Sequence, residues 1–253
     1  MYFDSHSHMD DRRFDGDREA IMEDLKNHGV WLLMNVGCDL LSSERSVALA
    51  EQYPFVYAAV GSHPDDADHV NGKLLDRYRS LARHEKVRAI GEIGLDYHYE
   101  DVPRAQQIIA FEQQLELSEA LKLPVIVHER EAHGDAMEIV KHHPDARGVF
   151  HCFSGSRELA LWLVERGWYI GFTGVVTFKN ARRAVEAVQA LPLNRILIET
   201  DCPYMAPEPY RGRRNDSRYV PLVAAKIAEL KGISPEEAGS ITTENAKRLF
   251  AIP

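Results

Sequence analysis

Eight times along its 253 residues the sequence repeats one pattern: a short apolar run, then an amphipathic stretch. The runs are YFDSH (2–6), VWLLMNVG (30–37), VYAAVG (56–61), VRAIGEIG (87–94), PVIVHE (124–129), GVFHCF (148–153), YIGFTG (169–174) and RILIETD (195–201). Near-continuous apolar runs suit parallel strands covered on both faces. Helices are expected near 17–28, 43–53, 72–84, 104–122, 133–143, 156–166, 180–190 and 218–231. The stretch 104–122 shows the period: Ile108, Phe111 and Leu115 share a face that Leu117 and Leu121 widen, and Pro103 stands where a helix start tolerates proline. Eight strand–helix units in about 250 residues match a TIM-like (β/α)8 barrel of the α/β class, expected here as a single domain over 1–253. A doubly wound open sheet is the runner-up, but the first strand is not followed by its Gly-rich phosphate-binding turn. Beyond the eighth unit, ISPEEAGSITTENAKRLFAI reads as one or two extra C-terminal helices, with Ser234, Pro235 and Glu237 as cap, first residue and third residue.

The strand ends carry the chemistry. Residues i and i+2 of a strand point the same way, so His6 and His8 in FDSHSHMD face one side together. In a barrel, the C-terminal strand ends are where active sites sit. The same place in other runs holds His63, Glu92, His128, His151 and Asp201. Taken singly, each has a structural explanation: a hydrogen-bonded histidine, a buried ion-pair partner, a turn residue. As a set they would gather titratable groups that are costly to bury without a cation. Imidazoles mixed with carboxylates favour Zn2+ or Mn2+, with Mg2+ possible where waters complete the shell. His28, His69, His84, His98, His133, His142 and His143 fall in helices or loops and read as surface residues.

Composition bounds the partners. The formal net charge of −9 makes the whole chain repel polyanions, so attraction to nucleic acid must be local. Cys38, Cys152 and Cys202 are too few and too odd in number for a disulfide framework. No basic, then apolar leader opens the sequence, and no window approaches the ~18 apolar residues of a membrane span. The expectation is a cytoplasmic protein with no membrane association and no obligate protein partner.

The motifs DSHSHMD, GSHPDD, AIGEIGLDYHY, LPVIVHEREA, VFHCFSG, YIGFTGVVTFK, ILIETDCPYMAP and RGRRNDSRYV run in order from the first strand to beyond the eighth. In that ordered combination the chain resembles the TatD-like metal-dependent deoxyribonucleases of the amidohydrolase-like superfamily. The resemblance implies a TIM-like barrel with two divalent metal ions. It implies that His6 and His8 bind one metal, shared with Asp201, that Glu92 bridges both, and that His128 and His151 bind the second. His63 matches a histidine beside the substrate, and Arg130 matches the family arginine that follows His128. One departure lies in RRNDSRYV, where Ser217 stands in place of the usual proline.

A metal pair suits phosphodiester hydrolysis, because it makes hydroxide available near neutral pH and neutralises charge on the phosphoryl oxygens. Asp201 is then expected both to ligate and to accept the water's proton. Glu199, two residues earlier, either supports the site or forms an interior ion pair. Arg211, Arg213, Arg214 and Arg218 are phosphate-contact candidates, with a solvated charged loop as the plainer alternative. Tyr97, Tyr204 and Tyr210 could stack on bases. Cys152 and Cys202 read as small buried residues rather than ligands. The implied activity is a metal-dependent deoxyribonuclease acting from the 3′ end of single-stranded DNA. Hydrolysis of an amide, lactam or aminoacyl ester is the alternative, and a metal-stabilised adaptor without turnover is the third reading.

Overall fold

The computed structural model describes residues 1–99 and 101–253. Eight strands form one parallel sheet in chain order: β1 (Tyr2–Ser7), β2 (Val30–Val36), β3 (Val56–Val60), β4 (Val87–Asp96), β5 (Val125–Arg130), β6 (Gly148–Phe150), β7 (Tyr169–Phe172) and β8 (Ile196–Ile198). A parallel bridge between Ser7 and Cys202 joins the end of β1 to the segment after β8. The fold is the expected (β/α)8 barrel with additional C-terminal helices. The helices are α1 (Arg18–Asp24), α2 (Leu40–Gln52), α3 (Gly72–Leu81), α4 (Arg104–Leu121), α5 (His133–His142), α6 (Arg157–Glu165), α7 (Arg182–Ala190), α8 (Val220–Lys231) and α9 (Pro235–Leu249). Among the described residues, no helix is long and apolar enough to cross a membrane.

The chain groups into two compact units, Met1–Asn35 with His151–Pro253, and Val36–Phe150. In the first unit α9 packs on β1 and β8. Its buried Asn245 amide donates to the Leu193 and Ile196 carbonyls, both at 2.9 Å, and Phe250 meets the Phe3 ring. The tail is one 15-residue helix, opened as expected by Ser234, whose hydroxyl accepts the Glu237 N–H.

In the second unit α4 lies against β4. Its buried stripe is not the purely apolar face expected. Phe111, Leu115 and Leu117 are buried, Ile108 is only half-buried, and Gln107, Gln114 and Ser118 are buried among them. The two glutamines act as backbone surrogates. Gln114 accepts the Ser62 N–H (2.8 Å) and donates to the Ser62 carbonyl (3.1 Å). Gln107 accepts the Asp96 N–H and donates to its carbonyl, both at 2.9 Å. Each amide thereby satisfies buried main-chain groups. Helix α2 starts at Leu40, three residues before the expected 43, because Asp39 and Ser42 form a capping box.

Candidate metal centre

In the first unit, main-chain hydrogen bonds bring residues nearly two hundred positions apart together. The Asp201 N–H donates to the His6 carbonyl and the His8 N–H to the Cys202 carbonyl, both at 2.9 Å. The donor atoms follow. His6 Nε2 lies 3.1 Å from His8 Nε2, and Asp201 Oδ1 lies 3.7 Å and 3.4 Å from the two. Ligands at ~2.0–2.1 Å from one cation and about a right to tetrahedral angle apart stand roughly 2.9–3.4 Å from each other. Two sides, His6–His8 and His8–Asp201, fall in that range and the third, His6–Asp201 at 3.7 Å, lies just beyond it, so the donors stand close to the spacing a divalent cation needs. The His151 ring stacks on His6, with centroids 3.9 Å apart, and its Nδ1 lies 3.6 Å from Glu199 Oε1. His6, His151 and Glu199 form a second grouping of potential ligand atoms.

The surroundings fix this group. Fully buried Glu199 accepts the Cys152 N–H at 2.6 Å. Gly171 makes room for it, since a Cβ there would lie 2.6 Å from Glu199 Oε2. Asp4 accepts from the Thr200 N–H (2.8 Å) and hydroxyl (2.6 Å). Burial lifts the Asp4 carboxyl to about 7 against the hydrogen bonds from Ser217 and Thr200. Ser217, the residue in place of the family proline, thus supplies a hydrogen bond beneath the site. Burial also pushes Asp201 up, but the hydrogen bond with His8 and the charges of His6 and His151 outweigh it and hold that carboxyl below the usual range. Asp201 (φ 55°) and Cys152 (φ 43°) both occupy the left-handed region, which costs a non-glycine residue about 1–3 kcal/mol and recurs at functional sites.

The second unit holds the other group. Glu92 lies within β4 and His128 within β5, where Gly94 is the register partner of His128. Only glycine fits there, because a Cβ on Gly94 (φ 140°) would lie 2.0 Å from the His128 carbonyl oxygen. His128 Nδ1 is 2.8 Å from Glu92 Oε1 and its Nε2 is 3.1 Å from Asp96 Oδ2. His63 Nε2 is 3.7 Å from the same Glu92 oxygen, and His63, Glu92 and His128 form a grouping of potential ligand atoms. His63 Nδ1 lies 3.2 Å from the Asp65 backbone nitrogen and 3.4 Å from Asp65 Oδ2, so this ring nitrogen faces both a donor and an acceptor of Asp65. Burial raises the Asp96 carboxyl, yet the hydrogen bonds from His128 and the His98 N–H, with the charges of His128 and Arg130, bring it below its ordinary value. Asp96 is absent from the residues expected from the sequence; its place two residues after the fourth apolar run was the available signal.

The arginines divide. Arg214 binds both Asp17 oxygens (2.9 and 2.5 Å) and the Arg13 carbonyl, and Arg218 binds both Asp216 oxygens and Asp24. Arg211 stacks over Phe178 (4.3 Å) and Arg213 over Tyr210 (5.9 Å), and neither has a carboxylate partner among the described residues. Arg130 lies over Tyr99 at 5.1 Å. Tyr204 is half exposed, with the Arg13 guanidinium 4.3 Å from its ring centre. Its backbone is held by bonds to Asp201 (2.9 Å) and to the buried Asn215 amide (2.6 Å). The remaining histidines pair locally, as in His28–Asp24, His69–Asp66, His84–Glu51, His98–Glu131, His133–Glu129 and His143–Glu119. His142 bonds a backbone carbonyl. No disulfide joins Cys38, Cys152 and Cys202, and burial drives the Cys202 thiol up to about 12.

The sequence profile described as TatD related DNase matches residues 3–251. The chain is 44% identical to a Bacillus subtilis protein named uncharacterized metal-dependent hydrolase YabD, over the full length of both. It is 34% identical to a Cronobacter sakazakii protein named 3′-5′ ssDNA/RNA exonuclease TatD, covering 98% of this chain and 97% of the relative. The solved structure of YjjV, a TatD homolog from Escherichia coli K12, superposes with a TM-score of 0.93 at 32% identity, covering 100% of this chain and 98% of that one. With its eight parallel strands and its histidine–carboxylate groups, the chain belongs to the TatD-related family of metal-dependent hydrolases on the amidohydrolase-like barrel.

Proposed function

We propose that the protein is a metal-dependent nuclease that hydrolyses phosphodiesters, with the 3′ end of single-stranded DNA as its substrate. The observation that carries this reading is the His6–His8–Asp201 triangle of cation-sized spacing, found in a chain 34% identical to a relative named as a 3′-5′ ssDNA/RNA exonuclease. Following the family resemblance, His6, His8 and Asp201 would hold one divalent cation, and Glu92, His128 and His151 are the remaining candidate ligands. Such cations, whether Mg2+, Mn2+ or Zn2+, supply Lewis acidity and a water acidic enough to attack near neutral pH.

The residues of the chain do the rest. Asp201, kept ionised beside the imidazoles, accepts the proton of the attacking water. Neutral imidazole ligands add no negative charge, so the site still admits a phosphate. His63, beside Glu92, is a contact for the phosphate. Tyr204, fixed three residues from Asp201 and backed by Arg13, offers one ring face to a base. Arg130, Arg211 and Arg213 contact backbone phosphates, whereas Arg214, committed to Asp17, orders the loop that carries Arg211 and Arg213. Three cysteines without a disulfide among them suit a cytoplasmic setting.

The test is a parallel assay on 3′- and 5′-labelled single-stranded DNA, duplex DNA, RNA and a panel of amides, lactams and aminoacyl esters. We expect stepwise loss of the 3′ label, abolition by EDTA and recovery with Mg2+ or Mn2+. Turnover confined to the carbonyl panel, or cleavage that survives EDTA, removes the nuclease reading.

A further inference from the structure

We propose that Asp96 is a positioning residue for the cation site of the Val36–Phe150 unit: it fixes the His128 ring so that Nδ1 faces Glu92. Glu92 and Asp96 lie four residues apart on β4 and flank one imidazole, at 2.8 Å from Nδ1 and 3.1 Å from Nε2. A neutral imidazole has one nitrogen with a hydrogen and one with a lone pair, so the carboxylate that claims the hydrogen decides which end ligates.

Asp96 is built to be that carboxylate. It is 2% exposed, and its Oδ1 accepts the His98 N–H at 2.8 Å. Its backbone N–H and carbonyl are both taken by the Gln107 amide, which also donates to the Val102 carbonyl at 3.0 Å. With backbone and Oδ1 clamped, Oδ2 remains aimed at His128 Nε2. Asp96 is also absent from the ligand grouping of this unit, which comprises His63, Glu92 and His128. It therefore stands behind the ring, at the end away from Glu92. A carboxylate in that position fixes ring orientation and raises ligand basicity, and loss of such a partner typically costs ~10–100-fold in metal affinity. The inference rests on the metal-binding reading of this group and not on the choice of substrate.

The experiment uses the intact protein, labelled with 15N-histidine and loaded with 113Cd2+. We expect cadmium coupling on His128 Nδ1 and a slowly exchanging hydrogen on Nε2. In Asp96→Asn, which keeps shape and an acceptor, cadmium affinity of this site should fall about 10–100-fold and the Nε2 hydrogen should exchange fast. Asp135→Asn, an exposed change in the same unit, should leave both unchanged. The wild-type spectrum needs no variant to fold. Coupling on Nε2, or an Asp96→Asn affinity within twofold of wild type, overturns the role of Asp96. Coupling on His6 or His8 without any on His128 also overturns it while sparing the first-unit site. Cadmium bound to no histidine removes the metal reading itself.

Discussion

The two ligand groups are built by different means. In the first unit, backbone does the work: main-chain bonds from Asp201 to His6 and from His8 to Cys202 set the triangle, and side chains follow. In the second unit, side chains do it: Gln107 and Gln114 reach from α4 to hold Asp96 and Ser62, and carboxylates on both sides hold His128. The first group therefore depends on closing the chain across its length, and the second on buried polar contacts of modest sequence separation. A backbone-defined site should lose function when its ligands go, yet keep its shape. A side-chain-defined site should respond to changes in residues that never touch a cation.

The largest effect should come from the first group. Replacing His6 and His8 together with alanine should remove about one cation equivalent by elemental analysis and at least about 100-fold of activity, with little change in circular dichroism. Near-wild-type metal content would break the assignment. Next comes Gly94→Ala, which drives a Cβ into the His128 carbonyl at a left-handed φ. We expect a loss of about 3 kcal/mol or more in urea unfolding. Gly171→Ala presses only on the end of the Glu199 side chain and should cost less, so reversal of that order would undo the contrast between the groups. Gln114→Leu strands the buried Ser62 N–H and carbonyl and should cost about 2–4 kcal/mol. A cost below that of a surface substitution would mean that the clamp is ornamental.

The smallest effect lies at the rim of the first unit. The hydrogen bond from Arg13 holds the Asp11 carboxyl down at about 2. A lowered carboxylate stabilises the fold above its unfolded value near ~4, and that contribution fades as pH falls towards the folded value. The pair is largely solvent-exposed, so its worth is below about 1 kcal/mol. The melting temperatures of wild type and Asp11→Asn should differ slightly at pH 7 and converge as pH falls from about 4 to about 2. A gap that persists in acid would point to a role other than charge.

Much of this was legible in the sequence. Alternation of apolar runs and amphipathic stretches is local, and each run became a strand, with β6 and β8 stopping short of His151 and Asp201. The polar residues in or just after six of the eight runs are equally local, so the ligand candidates could be named. Less legible were α2, whose cap uses a serine where a glutamate is usual, and α4, whose buried glutamines interrupt the apolar stripe.

Local periodicity thus determined which runs become strands and which polar residues fall in or just after them, because strand and helix geometry repeats within a few residues whatever the rest of the chain does; Glu92 and His128, expected at strand ends, lie within β4 and β5, which run on to Asp96 and Arg130. Only the tertiary structure decided the partners. Arg214 went to Asp17 rather than to open solvent, Asp96 went to His128, and Ser217 went to Asp4. Each of those pairings is a contact between segments distant in sequence, set by burial and by which donors and acceptors the packed backbone leaves facing one another.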